Sequence, residues 1–155
     1  MCAQPYMNGT HNKDITTGLT QILADTFVLY IKTHSFHWNV EGPNFKALHD
    51  VFEEQYTELW EFTDELAERI RALGEYAPNG FSDMLQNANL KEAGQLPDWK
   101  GMLQALEEDN RAIVDNIYPV LRTAEDAGDE ATVDMLIERT QVHEKAAWML
   151  KSFQK

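Results

Sequence analysis

Five residues of this chain have types and spacing suited to metal chemistry: His37, His49, Glu53, Asp64 and Glu68. Imidazole nitrogens with carboxylate oxygens suit iron, zinc or manganese, and few protein ligands leave positions open for water or an oxidant. At about 100° per helical residue, with His49 set to zero, Glu53 falls near 40°, Asp64 near 60° and Glu68 near 100°. These four share one stripe of one helix. Glu53 and Asp64 are eleven residues apart, about 16 Å along a helix axis, whereas metal–oxygen and metal–nitrogen bonds are about 2 Å long. One straight helix cannot deliver both to one ion. The halves meet only when a second copy packs antiparallel across the stripe. That arrangement defines a candidate site of His37, His49 and Glu53 from one chain with Asp64 and Glu68 from the other. The bland alternative is a solvated acidic face, in which the like charges of Asp64 and Glu68 cost a few tenths of a kcal/mol.

Other chemistries drop out. The chain has no Gly-rich phosphate loop, no Ser-His-Asp candidate on a strand-turn-helix and no cysteine pair for zinc. Di-iron bundles commonly hold metal through Glu-x-x-His pairs, but the residues three before each histidine are Asn8, Ile31, His34, Lys46 and Thr140.

The elements that must position the stripe are helices. Leu19, Ile22, Leu23, Thr26, Phe27, Tyr30 and Thr33 recur at three- and four-residue steps, predicting a helix from about Thr16 to Asn39, ended by Gly42-Pro43. Asn44 can cap a second helix running to Gly74, with Phe45, Leu48, Phe52, Tyr56, Leu59, Thr63, Leu66 and Ile70 on its buried side. The segment from Glu75 to Pro97 reads as a long crossover, with Ser82 capping a short helix around Met84 and Leu85. A third helix should start near Asp98, bend at Pro119 and end near Ala127-Gly128. A fourth should span about Asp129 to Phe153 through Val133, Leu136, Ile137, Thr140, His143, Ala147 and Leu150. The fold class is all-α: a four-helix bundle with a short helix in the long crossover between helices 2 and 3. Residues 1–15 are expected to be a flexible tail and 16–155 the bundle domain.

Composition bounds the setting. The 155 residues carry 13 Lys+Arg against 26 Asp+Glu, a net charge of −13, with 43% hydrophobic residues. That apolar content can build a core, while the charge disfavours phosphate backbones. One cysteine, Cys2, permits no internal disulfide, and neither an export signal nor an apolar span is visible. A cytoplasmic location and no membrane contact are expected.

The run Phe36-His37-Trp38-Asn39-Val40-Glu41-Gly42-Pro43-Asn44-Phe45-x-x-Leu48-His49, then Phe52-Glu53-Glu54 and Asp64-Glu65-x-Ala67-Glu68-Arg69-Ile70, closely resembles the Dps mini-ferritins, DNA-binding proteins from starved cells. The run Glu138-Arg139-Thr140-Gln141-Val142-His143-Glu144-Lys145-x-x-Trp148-Met149-Leu150 resembles that family's last helix. The resemblance implies a ferritin-like bundle assembled as a hollow homododecamer. It implies oxidation of Fe(II), two ions per interfacial site, by hydrogen peroxide or more slowly by oxygen, with ferric mineral stored inside as protection from oxidative stress. It also implies the ligand partition derived above, with zinc or another divalent metal able to substitute for iron. Position 53 is Glu, where the family commonly has Asp. Trp38 resembles a family aromatic that supplies an electron near the site; packing at an interface is the alternative. His34 matches no family role and is expected to be satisfied or exposed. Asp126, Asp129, Glu130 and Asp134 cluster where related cages place acids around three-fold pores that admit iron, with Asp129 and Asp134 favoured; ordinary helix capping is the alternative.

The family's DNA contact generally runs through a Lys- and Arg-rich tail. Here the first sixteen residues hold one Lys and one Asp, and a twelve-chain shell multiplies the charge of −13 twelvefold. Weak or absent DNA binding is expected, with nucleoid association left as the competing reading.

Overall fold

The computed structural model describes residues 9–155, in which five helices follow one another: α1 Gly9–Asn39, α2 Phe45–Ala72, α3 Phe81–Asn87, α4 Trp99–Ala127 and α5 Glu130–Ser152. α1 packs on α2 and α4, α4 packs on α5, and the short α3 lies on α1 within the crossover. The expected all-α bundle is therefore present, with its short helix between the second and third long ones.

α1 is the most enclosed helix. Ile15, Leu19, Ile22, Leu23, Leu29 and Phe36 line one broad buried face, with Val28 buried beside it, while Lys13, Thr17, Ile31 and Trp38 are exposed on the opposite side. It begins at Gly9, earlier than the start near Thr16 expected from the apolar period. The added turns have reasons to be ordered. Ile15 is fully buried, the Asn12 Nδ2–H donates to the Leu73 carbonyl at 3.4 Å, and Lys13 pairs with Glu75 at 3.5 Å. Residues 1–8 of the expected tail lie outside the described residues.

The helix ends follow local chemistry with two corrections. Asn44 is the N-cap of α2 but makes no side-chain capping bond. α3 is capped at Gly80, so Ser82 lies inside it, and Asp83 instead accepts from the Asn79 N–H at 2.8 Å. Asp98 caps α4 by accepting from Gly101 N–H at 2.8 Å. Gly128 ends α4 at φ 72°, a left-handed conformation open to glycine. α4 continues through Pro119 as one helix.

The buried face of α2 is Leu48, Phe52, Leu59, Phe62, Leu66 and Ile70. Phe62 takes a place expected for Thr63, and Tyr56 is only half-buried. On α5, Ile137 is 44% exposed and does not join the core as expected.

Three polar devices fix the crossover and the bundle centre. Asp25 accepts from the Asn89 and Leu90 N–H groups at 2.6 and 2.9 Å and from Asn116 Nδ2–H at 3.1 Å, tying the crossover to α1 and α4. Burial raises its carboxyl above the ordinary 3.8 despite these donors. Lys32 on α1 pairs with Asp109 on α4 at 2.6 Å, both side chains largely buried. At the centre, buried Arg139 pairs with Glu58, lies 3.7 Å over the Phe62 ring, and its Nη2–H reaches His143 Nε2 at 3.3 Å. Because arginine only donates, His143 carries its proton on Nδ1 and donates to Asn110 Oδ1 at 2.8 Å.

Burial, then the Arg139 charge, hold the His143 imidazole well below its ordinary 6.5. The unfolded chain therefore binds a proton that the folded chain refuses, so stability should fall as pH drops below about 6.5. Denaturant titrations should give a lower unfolding free energy at pH 5 than at pH 7 from this group. His143→Gln should remove that component, and an unchanged pH slope in the variant would contradict the assignment.

Candidate metal centre

The last turn of α1 and the first turns of α2 bring His37 and His49 face to face. Between them the chain reverses over residues 40–44, held by hydrogen bonds from Val40 N–H to Phe36 O (2.9 Å), Phe45 N–H to Gly42 O (3.2 Å) and Leu48 N–H to Asn44 O (3.0 Å). Gly42 takes φ 125°, which side-chain-bearing residues rarely adopt. The two imidazoles stack with ring centroids 3.7 Å apart and planes 17° from parallel.

Their hydrogen bonds are reciprocal. His37 Nδ1 lies 2.8 Å from the His49 carbonyl, and His49 Nδ1 lies 2.8 Å from the His37 carbonyl. A carbonyl oxygen can only accept, so each Nδ1 carries the hydrogen and each Nε2 keeps its lone pair. That is the tautomer a metal-binding histidine needs, with the second nitrogen anchored by backbone. Each ring thus orients the other through its partner's main chain.

The same side carries an aromatic cluster. His34 Nδ1 and the Tyr30 hydroxyl are hydrogen-bonded at 3.0 Å, and the His34 ring stacks on Tyr56 at 3.8 Å and lies 4.3 Å from Trp38. His34 is thus the satisfied histidine expected from sequence. Burial, then the neighbouring His37, lower its pKa, while the Glu53 charge opposes both. Glu53 also raises the Tyr56 phenol, after burial. Glu53 itself is exposed on α2, four residues after His49.

Asp64 and Glu68 stand further along α2, also exposed. Asp64 borders an open groove of about 670 Å³ whose walls include Leu23, Phe27, Trp60, Pro78 and Met84. Among the described residues, no group of three or more His, Cys, Asp or Glu converges closely enough to hold a metal ion within one chain. The chain brings His37 and His49 into stacking contact and leaves Asp64 and Glu68 further along α2.

Comparison with known proteins places this arrangement. Residues 16–155 match the ferritin-like domain family. The chain is 37% identical over 142 residues to DNA protection during starvation protein 2 of Bacillus anthracis, covering 92% of this chain and 97% of that protein. The chain belongs to the Dps family. Among solved Dps structures, that from Bacillus brevis superposes with a TM-score of 0.91 at 36% identity, covering 96% of this chain and 99% of that one. The Dps protein of Vibrio cholerae O1, described as a member of a broad superfamily of ferritin-like diiron-carboxylate proteins, gives a TM-score of 0.90 at 34% identity. It covers 94% of this chain and 92% of that one.

Within this Dps fold the acids between α4 and α5 divide. Asp129 is only 1% exposed. Its Oδ1 accepts from Arg69 Nη2–H at 2.6 Å and Thr132 N–H at 3.1 Å, and its Oδ2 accepts from the Thr132 hydroxyl at 2.5 Å. It caps α5 and fastens α5 to α2, the capping alternative expected for these acids. Asp134 is exposed and borders a groove with Glu61, Glu65 and Glu138. Trp38 is 64% exposed in the single chain.

Sequence reading missed Asp25 and the Lys32–Asp109 pair, because charged residues inside a helical period look like interruptions of its apolar face. It also gave no sign of the reciprocal histidine bonds, which depend on backbone carbonyls that carry no sequence signature. The structural role of Asp129 has a direct check. Asp129→Ala, leaving Arg69 without its partner, should lower the unfolding free energy by about 3–5 kcal/mol in chemical denaturation. A loss below about 1 kcal/mol would return Asp129 to the solvent-facing acids.

Proposed function

We propose that this Dps-family chain is a ferroxidase that assembles as a hollow homododecamer and stores ferric mineral inside it. In this reading His37, His49 and Glu53 of one subunit and Asp64 and Glu68 of its two-fold partner bind two Fe(II) ions as substrate. Hydrogen peroxide is the preferred oxidant and oxygen a slower one. Each ferrous ion gives up one electron, so two Fe(II), one hydrogen peroxide and two protons yield two Fe(III) and two waters. Because both electrons reach peroxide together, no hydroxyl radical is released, and DNA and cell are protected chemically. Location in the cytoplasm and weak or absent direct DNA contact belong to the same reading, given the charge of −13.

The observation that carries the proposal is the stacked His37–His49 pair, whose Nε2 lone pairs are left free while its Nδ1 atoms are anchored. The donor set fits iron: two imidazoles and three carboxylates are borderline and hard ligands, and zinc would fit the same set. Exposed Trp38, Trp60 and Phe81, at 64%, 56% and 72%, surround the stripe with apolar area that a partner subunit would cover. Glu53 supplies a carboxylate one methylene longer than Asp, which alters reach without altering charge. Trp38, beside His37, would supply an electron to a stray one-electron oxidant. Asp134 stays in the proposal as an acid of an iron-admitting pore.

The test is an anaerobic Fe(II) load followed by peroxide, with ferric absorbance recorded over time. Wild type should oxidise iron rapidly at two ions per peroxide. A His49→Ala, Glu53→Ala variant should lose at least about tenfold in rate while keeping its assembly. Equal rates in wild type, variant and protein-free iron would leave the stripe a solvated face.

A further inference from the structure

Trp99, the first residue of α4, lies against the turn that joins the two histidine-bearing helices. A Cβ placed on Gly42 would stand 2.9 Å from Trp99 Cδ1 and 3.2 Å from Nε1, so the indole fills the space a side chain would need. The clamp is rigid at both ends. Asp98 caps α4 beside the indole, and Pro97 packs so closely on Gly101 that a Cβ there would come within 2.8 Å of it. Trp99 also packs against the buried core cluster. On the other side, Val40 at the start of the turn is buried, and Gly42 at φ 125° has little freedom to be replaced.

The turn is the only covalent link between His37 and His49, and their bonds run to each other's main chain. A shift of the turn therefore moves the ring of one histidine and the acceptor of the other at once. Hydrogen bonds of 2.8 Å weaken steeply with misalignment, and misplacing reacting groups by about 1 Å can cost on the order of 100-fold in rate. We infer that Trp99 is a positioning residue for iron oxidation: pressed on Gly42, it sets the α1–α2 turn and so aims both imidazoles. The inference rests on the proposed ferroxidase reading, in which these imidazoles bind Fe(II). It assigns α4, which contributes no ligand, control over the ligand geometry.

The experiment uses the assembled full-length protein and four variants: Trp99→Ala, Trp99→Phe, Gly42→Ala and Leu121→Ala. Leu121 is buried near the other end of α4 and controls for loss of core packing. Two readouts are taken: iron-oxidation rates across Fe(II) concentration, separating kcat from KM, and the visible spectrum of anaerobic protein titrated with Co(II). Trp99→Ala should lower kcat by about tenfold or more and alter the Co(II) band intensities, with helical content and assembly size retained. Trp99→Phe should restore most of both. Gly42→Ala, which pushes on the indole from the other side, should reproduce the defect with Trp99 in place and also serves if Trp99→Ala does not fold. Leu121→Ala should lower the melting temperature yet keep kcat and the Co(II) spectrum.

Wild-type kcat and spectrum in Gly42→Ala, or an equal kcat loss in Leu121→Ala, would overturn the positioning role. Failure of the ferroxidase reading is seen separately, as wild-type protein that neither perturbs the Co(II) spectrum nor oxidises iron, and it would overturn the inference with it.

Discussion

A metal–ligand bond reaches about 2 Å, and a helix rises about 1.5 Å per residue. Those two lengths govern this molecule, because the acids at 53 and 64 sit on one unbroken helix, α2, that runs from Phe45 to Ala72. The rigidity that presents each carboxylate also forbids their meeting on one chain. In the proposed reading, shared ligation across a two-fold axis would resolve the conflict, since an isologous interface brings each half to the other chain's complement twice. In this reading, assembly completes the site as well as enclosing the mineral.

The remainder of the fold serves to hold the stripe still. The interior charges of α1 are spent on structure: Asp25 grips the crossover backbone and Lys32 pairs with Asp109. In the centre, Glu58, Arg139, His143 and Asn110 form a continuous polar chain. A histidine locked by donor and acceptor, with burial opposing its charge, is spectator chemistry. His37 and His49 differ because their Nδ1 partners are carbonyls while their Nε2 atoms stay free.

Helices and their order were legible because apolar residues at three- and four-residue steps, with Pro and Gly between them, encode both. The errors have local causes. The start of α1 lies earlier than its apolar period suggests because Asn12 bonds the Leu73 carbonyl beyond α2 and Ile15 is buried, which no local pattern announces. The buried ion pair of Asp129 was not legible because a cap, a buried pair and an exposed acid are identical in sequence. The candidate ligands rest on residue type and angle on the helical wheel, and their proposed division between two chains on axial distance. What positions them was not readable: main-chain acceptors, ring stacking and an indole against a glycine are properties of the folded backbone.

The shared site is tested most directly by making hybrids. Subunits carrying His49→Ala and Glu53→Ala would be co-assembled with subunits carrying Asp64→Ala and Glu68→Ala, each inactive alone, and peroxide-driven iron oxidation measured. In a mixed two-fold pair one site collects all the lesions and the other is whole, so random co-assembly should restore about one quarter of wild-type sites. Hybrids as inactive as their parents, in shells confirmed to contain both subunits, would contradict a site built across the interface.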